Sequence, residues 1–235
     1  VGNASKIETM KVEQLNYLDT DEGKKDLSDE TTRYNENLKG INDAIESKQN
    51  QLKSINNSYY AEKATLDSTL NQKLKSVETE KAERLSELNK RTESIVNSLI
   101  EERDDALAQA KNQYDDDIAA AKKKGATTEQ INDIKTAYSN KKKVIQDDYA
   151  KQMSIRKKQL EQEENDINSL YNSKKQGIQE EYAKDLNTLD NKYDSQRLPI
   201  INDINNFVGA RDSVISGYNS YKNNLENMVY INITK

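Results

Sequence analysis

The side chains of this chain that could do chemistry are carboxylates, lysines and tyrosines, because it holds no histidine and no cysteine. That removes the commonest general base, the soft metal ligands and the thiol nucleophile together. Among the acids, Asp115, Asp116 and Asp117 are consecutive. On a helix they fan around the axis by about 100° each and do not converge on a cation. Asp19, Asp21, Gly23 and Glu30 echo a calcium loop, but the glycine stands one position early and a third oxygen ligand is missing. The basic runs Lys122–Lys124, Lys141–Lys143 and Arg156–Lys158 could hold phosphate, yet Asp147, Asp148 and Glu161 lie among them. Such mixing describes a solvated charged face and predicts no nucleic-acid partner. The sequence therefore predicts no catalytic residue, no cofactor and no metal site, and the chain is read as not an enzyme.

The tyrosines carry more information. Tyr138, Tyr149, Tyr171, Tyr182 and Tyr193 recur on one eleven-residue file that also holds Leu160, accompanied by Ile145, Ile167, Ile178, Leu189 and Ile200. Aromatics spaced for base stacking are one reading, but eleven residues is three helical turns and marks the buried face of a helix. The first half of the chain has matching files: Leu66, Val77, Leu88, Leu99, Ala110 and Ala121, beside Leu74, Leu85, Leu107 and Ile118. Before Leu66 the step shortens to the alternating four and three of a heptad, through Tyr34, Leu38, Ile41, Ile45, Leu52, Ile55 and Tyr59.

Between the two halves lies KKKGATTEQINDI, Lys122 to Ile134. The tyrosine file is displaced by two residues from the file of Leu74, Leu85, Leu107 and Ile118, about 200° of rotation, so one straight helix would face both ways. A reversal resolves this. Gly125 follows three lysines, cations where a helix ends, and Thr127 with Gln130 reads as an N-cap and capping box. The turn is thus Gly125, Ala126 and Thr127. Centring it on residue 126 makes facing residues sum to about 252. The seam then pairs Tyr34 with Tyr218, Tyr59 with Tyr193, Leu66 with Leu186, Leu85 with Ile167, Leu99 with Met153 and Tyr114 with Tyr138. Arg103 would face Tyr149, and Lys81 would face Tyr171.

The predicted fold is all-α, a long antiparallel two-helix coiled-coil hairpin with heptads near its base and eleven-residue repeats toward its tip. Composition agrees: 33% hydrophobic residues with one Phe and no Trp cannot fill a thick globular core. A mean hydropathy of -1.07 is that of a disordered chain, which the sustained periodicity contradicts. The arms run 28–124 and 128–227, each about 140 Å long at 1.5 Å per residue. Ser28, Asp29 and Glu30 supply the first cap and acids, and Pro199 should kink the second arm or start a new segment. Residues 1–27 and 228–235 form anchor segments. Within them Met10–Leu18 and Val229–Thr234 read as short strands that pair with each other, join a host sheet, or fray as tails.

Beyond the seam, Ile95, Val96, Leu99 and Ile100 face Met153 and Ile155, widening the apolar stripe. Val96, Ile100 and Ile155 are either an extra packing layer or a docking patch for another chain. Tripeptides at Asn3, Asn56 and Asn232 match the glycosylation sequon, which matters only in a secreted eukaryotic chain. No run approaches the roughly 18 apolar residues of a membrane span. The chain begins with Val1, as a processed product or a fragment would.

In composition, rich in Asn, Lys and Tyr and free of His and Cys, the chain is similar to coiled-coil components of bacteriophage virions. The similarity carries no specific residues. It implies a tail, neck or fibre component within a virion, with other protein subunits, including copies of itself, as partners. Outside that setting the sequence fits a soluble or extracellular protein. Two functions remain: a structural arm or spacer in a large assembly, or an adaptor that recognises a partner through the tip or the mid-arm patch.

Overall fold

The computed structural model describes residues 10–234. Strand β1 (Lys11–Asn16) leads through a single 3-10 turn (Tyr17–Asp19) into helix α1 (Asp21–Lys123). A short reversal then gives α2 (Thr128–Asn227), which ends in β2 (Val229–Thr234). The architecture is an all-α hairpin of two helices packed on each other, closed at the termini by a two-stranded antiparallel sheet. In that sheet Lys11 lies opposite Thr234 and Asn16 opposite Val229. The chain forms two compact units: one takes the chain through Thr65 together with Asp185 onward, the other is Leu66–Lys184.

In the Leu66–Lys184 unit the buried residues are Val77, Leu88, Ala110 and Tyr171, all members of the eleven-residue files. Leu66, Leu85, Leu99, Met153 and Ile167 are half-buried, as expected where two helices cover only one side of each other. Tyr114 and Tyr138 stack at 4.5 Å between ring centroids, and the Arg103 guanidinium sits 4.5 Å over the Tyr149 ring. Lys81 is half-buried at its seam position. Around the Tyr171 ring, Lys174 stands 5.0 Å and Arg84 5.8 Å from the centroid, and Glu80 accepts from the Tyr171 hydroxyl at 3.4 Å.

In the other unit Ile45, Leu189, Tyr193 and Leu225 are buried, and Leu186 is half-buried. Tyr34 stacks on Tyr218 at 4.1 Å, and Tyr59 meets Tyr193 edge-on at 5.6 Å. The sequence places the helix start at Ser28, but α1 begins at Asp21. Thr20–Asp21–Glu22 has the same grammar of hydroxyl cap and following acids, and the Thr20 Oγ1 accepts the Gly23 N–H at 3.0 Å. Residues 21–27 therefore belong to the helix, while residues 1–9 lie outside the described residues. Pro199 neither stops α2 nor starts a new segment. Its ring is on an exposed face, where water can serve the Ser195 carbonyl that loses its N–H partner.

Candidate interaction surface

At the turn every expected residue can be located. Gly125 has φ +72°, the left-handed conformation that costs a β-carbon-bearing residue energy. Its N–H donates to the Lys122 carbonyl at 3.1 Å, and the Ala126 N–H to the Ala121 carbonyl at 3.0 Å. These two bonds form the Schellman pattern that satisfies a helix C-terminus. Thr127 and Gln130 complete a capping box. The Gln130 N–H donates to the Thr127 Oγ1 at 3.2 Å, and the Thr127 N–H to the Gln130 Oε1 at 2.9 Å. Gly125, Thr127 and Gln130 are exposed and Ala126 half-buried, so the tip offers polar surface with its hydrogen bonds already made.

The mid-arm patch is narrower than the sequence suggests. Val96 and Ile100 are half-buried against the seam, whereas Ile155 stays 42% exposed. Val144, eleven residues earlier on the same side of α2, is exposed too. Beside them a groove lined by Leu99, Arg103, Ile145 and Tyr149 encloses about 120 Å³. Small-molecule sites run to roughly 300–1,000 Å³, so this one is too small.

The polar residues that could do chemistry are engaged in pairs along each helix and at the edges of the seam. Among the described residues there is no cluster of three or more metal-ligating side chains. Asp115 pairs with Lys111 at 3.0 Å and Asp117 accepts from Gln113, each one turn away on the same helix. The Asp115 carboxylate raises the Lys111 ammonium above its ordinary range. Gly23 lies inside the first turn of α1 and Glu30 pairs with Arg33 at 3.2 Å, so the acids from Asp19 onward do not gather.

Seam tyrosines find carboxylates at the seam's edge. Tyr59 donates to Asp190 at 2.7 Å, Tyr193 to Glu62 at 2.9 Å, and Tyr182 to Asp67. Tyr218 shares a hydrogen bond with the Thr31 hydroxyl. The Asp190 bond and burial raise Tyr59; burial and then Glu62 raise Tyr193. Lys192 and Tyr193 in turn hold Glu62 below its usual carboxylate range. Arg197 joins this group, 4.7 Å over the Tyr59 ring with its Nε donating to Asn56 at 2.8 Å. The sequon asparagine Asn56 is thus engaged inside the unit, Asn232 is exposed on β2, and Asn3 lies outside the described residues.

The surface least visible from sequence is at the termini. A tight collar joins the ribbon to the hairpin. The Tyr17 N–H donates to the Met228 carbonyl at 3.0 Å, and the Tyr17 carbonyl accepts from the Thr20 N–H at 3.0 Å and its Oγ1 at 2.6 Å. The Tyr17 hydroxyl donates to Asp26 at 2.6 Å. That bond first, then burial, pushes the phenol up to about 12. A β-carbon on buried Gly23 would stand 2.0 Å from the Tyr17 carbonyl oxygen, so only glycine lets the turn lie this close to the helix.

Above the collar, alternation puts Val12, Val229, Ile231 and Ile233 on one face of the ribbon, and Leu15 opposite Tyr230 on the other. The first four are 64%, 47%, 62% and 60% exposed. The sequence signal for this face is the alternating VYINIT; its lack of cover is a tertiary fact that periodicity does not contain. No described helix is long and apolar enough to cross a membrane. No protein-family model, no curated protein and no solved structure matches this chain.

Proposed function

We propose that this chain is a non-catalytic structural arm or spacer, held in a large multi-protein assembly by its terminal ribbon. The observation that carries the reading is the contrast in surface. The helices bury their apolar files against each other, whereas the ribbon leaves Val12, Ile231 and Ile233 uncovered. Apolar side chains that a fold leaves bare on a sheet face are where further protein packs. The chain's composition makes a bacteriophage tail, neck or fibre the kind of assembly proposed, with other subunits or further copies of the chain around the ribbon.

A second reading, recognition of a partner by the tip or the mid-arm patch, is favoured by one observation: Val144 and Ile155 stay exposed eleven residues apart on α2. Removing whole eleven-residue repeats in register from both helices separates the two. A spacer so shortened still enters its assembly, at reduced reach by electron microscopy. A recognition arm loses its partner in co-purification, which would overturn the spacer reading.

A further inference from the structure

The ribbon has two long edges, and they differ. The Tyr17 N–H donates to the Met228 carbonyl, which sets the phase of the ribbon, and bonded rungs alternate along an antiparallel ladder. Counting outward, Leu15 with Tyr230, Glu13 with Asn232 and Lys11 with Thr234 bond across the ribbon. The N–H and C=O groups of Val229, Ile231 and Ile233 therefore point away from β1 along the edge of β2, which no other described strand covers. β1 carries Lys11 and Glu13, the kind of charge that protects an edge from unwanted pairing. β2, VYINIT, has no charge and no proline, and all of its residues are exposed. It is an unguarded template for another strand, and two strands alone are marginal in water.

We propose that the open edge of β2 pairs antiparallel with β2 of a second copy of this chain, giving a four-stranded sheet in the order β1-β2-β2-β1. The partner is a second copy because the strand is complementary to itself. Centred on Ile231, the pairing sets Ile231 against its own counterpart, Val229 against Ile233 and Tyr230 against Asn232. All of the outward backbone groups then meet as bonded rungs and the apolar side chains fall on one shared face. No charges oppose one another, and a two-fold pairing closes on itself instead of propagating. One six-residue strand on each side falls short of the roughly 1,200–2,000 Å² that stable dimers bury, so the association belongs to the weak class. The pairing rests on reading the ribbon as the anchored end.

The test uses the full chain. Sedimentation across a concentration series is expected to show the apparent mass doubling from the 26.9 kDa of one chain. Because the chain has no cysteine, Ile231→Cys introduces a unique thiol. The two α-carbons at its pairing site would lie about 5.5 Å apart, within disulfide reach. Val12→Cys is its control, on the same face at 64% exposure against 62% for Ile231. A covalent dimer is expected from Ile231→Cys and not from Val12→Cys.

Ile231→Pro removes an outward N–H and no ladder donor. It should abolish the dimer while the amides of Tyr230, Asn232 and Thr234 keep their slow exchange. Equal crosslinking by the two cysteine variants would overturn the pairing, as would a dimer that survives Ile231→Pro. A chain that stays monomeric throughout would also overturn it. The spacer reading would survive that result, because in-register shortening of the helices tests it without touching the ribbon.

Discussion

At the turn, the end of α1 and the start of α2 are finished within the chain. Gly125 and Ala126 return hydrogen bonds to α1, Thr127 and Gln130 cap α2, and no large apolar side chain is left bare there. At the termini the backbone is held as tightly, through Tyr17, Thr20, Gly23 and Met228, but the ribbon above the collar exposes Val12, Val229, Ile231 and Ile233. Local backbone order and completeness of burial are thus separate properties, and this chain shows both at one end and only the first at the other. The contrast separates an end that reverses the chain from an end that leaves an apolar face bare.

The largest expected effect breaks the collar. Gly23→Ala forces a methyl to 2.0 Å from the Tyr17 carbonyl oxygen, a backbone atom that cannot swing aside. Overpacking of this kind costs about 1–3 kcal/mol, and the loss should concentrate in the ribbon. In Gly23→Ala the amides of β2 should exchange faster by hydrogen-exchange mass spectrometry, while those near Leu88 keep wild-type protection. Uniform loss of protection would mean that collar and helices are one cooperative unit.

Gly125→Ala is the counterpart at the other end. Nothing stands within 4 Å of an added β-carbon there, so the cost is the left-handed φ of +72° alone, about 1–2 kcal/mol. Denaturant unfolding should register that loss with the ribbon's exchange unchanged. Thr127→Ala, which removes one cap acceptor, should cost about 1 kcal/mol by the same measurement. The two ends are independent only if neither turn variant alters protection in β2.

These residues also mark what is legible in sequence. The reversal is legible because Gly125 and the Thr127–Gln130 pair are local signals, readable without knowing what surrounds them. The seam is legible because periodic files mark the buried face of each helix and a short turn fixes their register, which sets Tyr34 on Tyr218 and Tyr114 on Tyr138. The helix start is not, since Thr20–Asp21–Glu22 and Ser28–Asp29–Glu30 share one grammar; what sets the first apart is Tyr17, bonded to Thr20 at the helix start and to Met228 across the ribbon, and the Met228 bond is a tertiary contact. At Pro199 the sequence does not choose between a kink and a new segment, because the cost of a helical proline depends on whether the carbonyl it strands faces water. The bare face of the ribbon is the least legible feature, as VYINIT alternates equally well covered or uncovered.

The smallest effect is expected at alkaline pH and sharpens the comparison by acting on the collar alone. The Tyr17 phenol stands at about 12 in the folded chain, against about 10 when unfolded, chiefly because it donates to Asp26. The folded state therefore holds its proton more tightly. The stabilisation is complete below pH 10 and is lost as pH rises through about 12. Tyr59 and Tyr193 are also raised, so a fall in stability over that window does not by itself report on the collar. Tyr17→Phe isolates it. Absorbance titration of tyrosinate should lose its most alkaline step in the variant, and stability measured at pH 9 and pH 11 should fall less steeply than in the unmodified chain. An unchanged slope would mean that the Tyr17–Asp26 bond adds nothing to the collar, leaving Gly23 and the Thr20 cap to hold the ribbon against the hairpin.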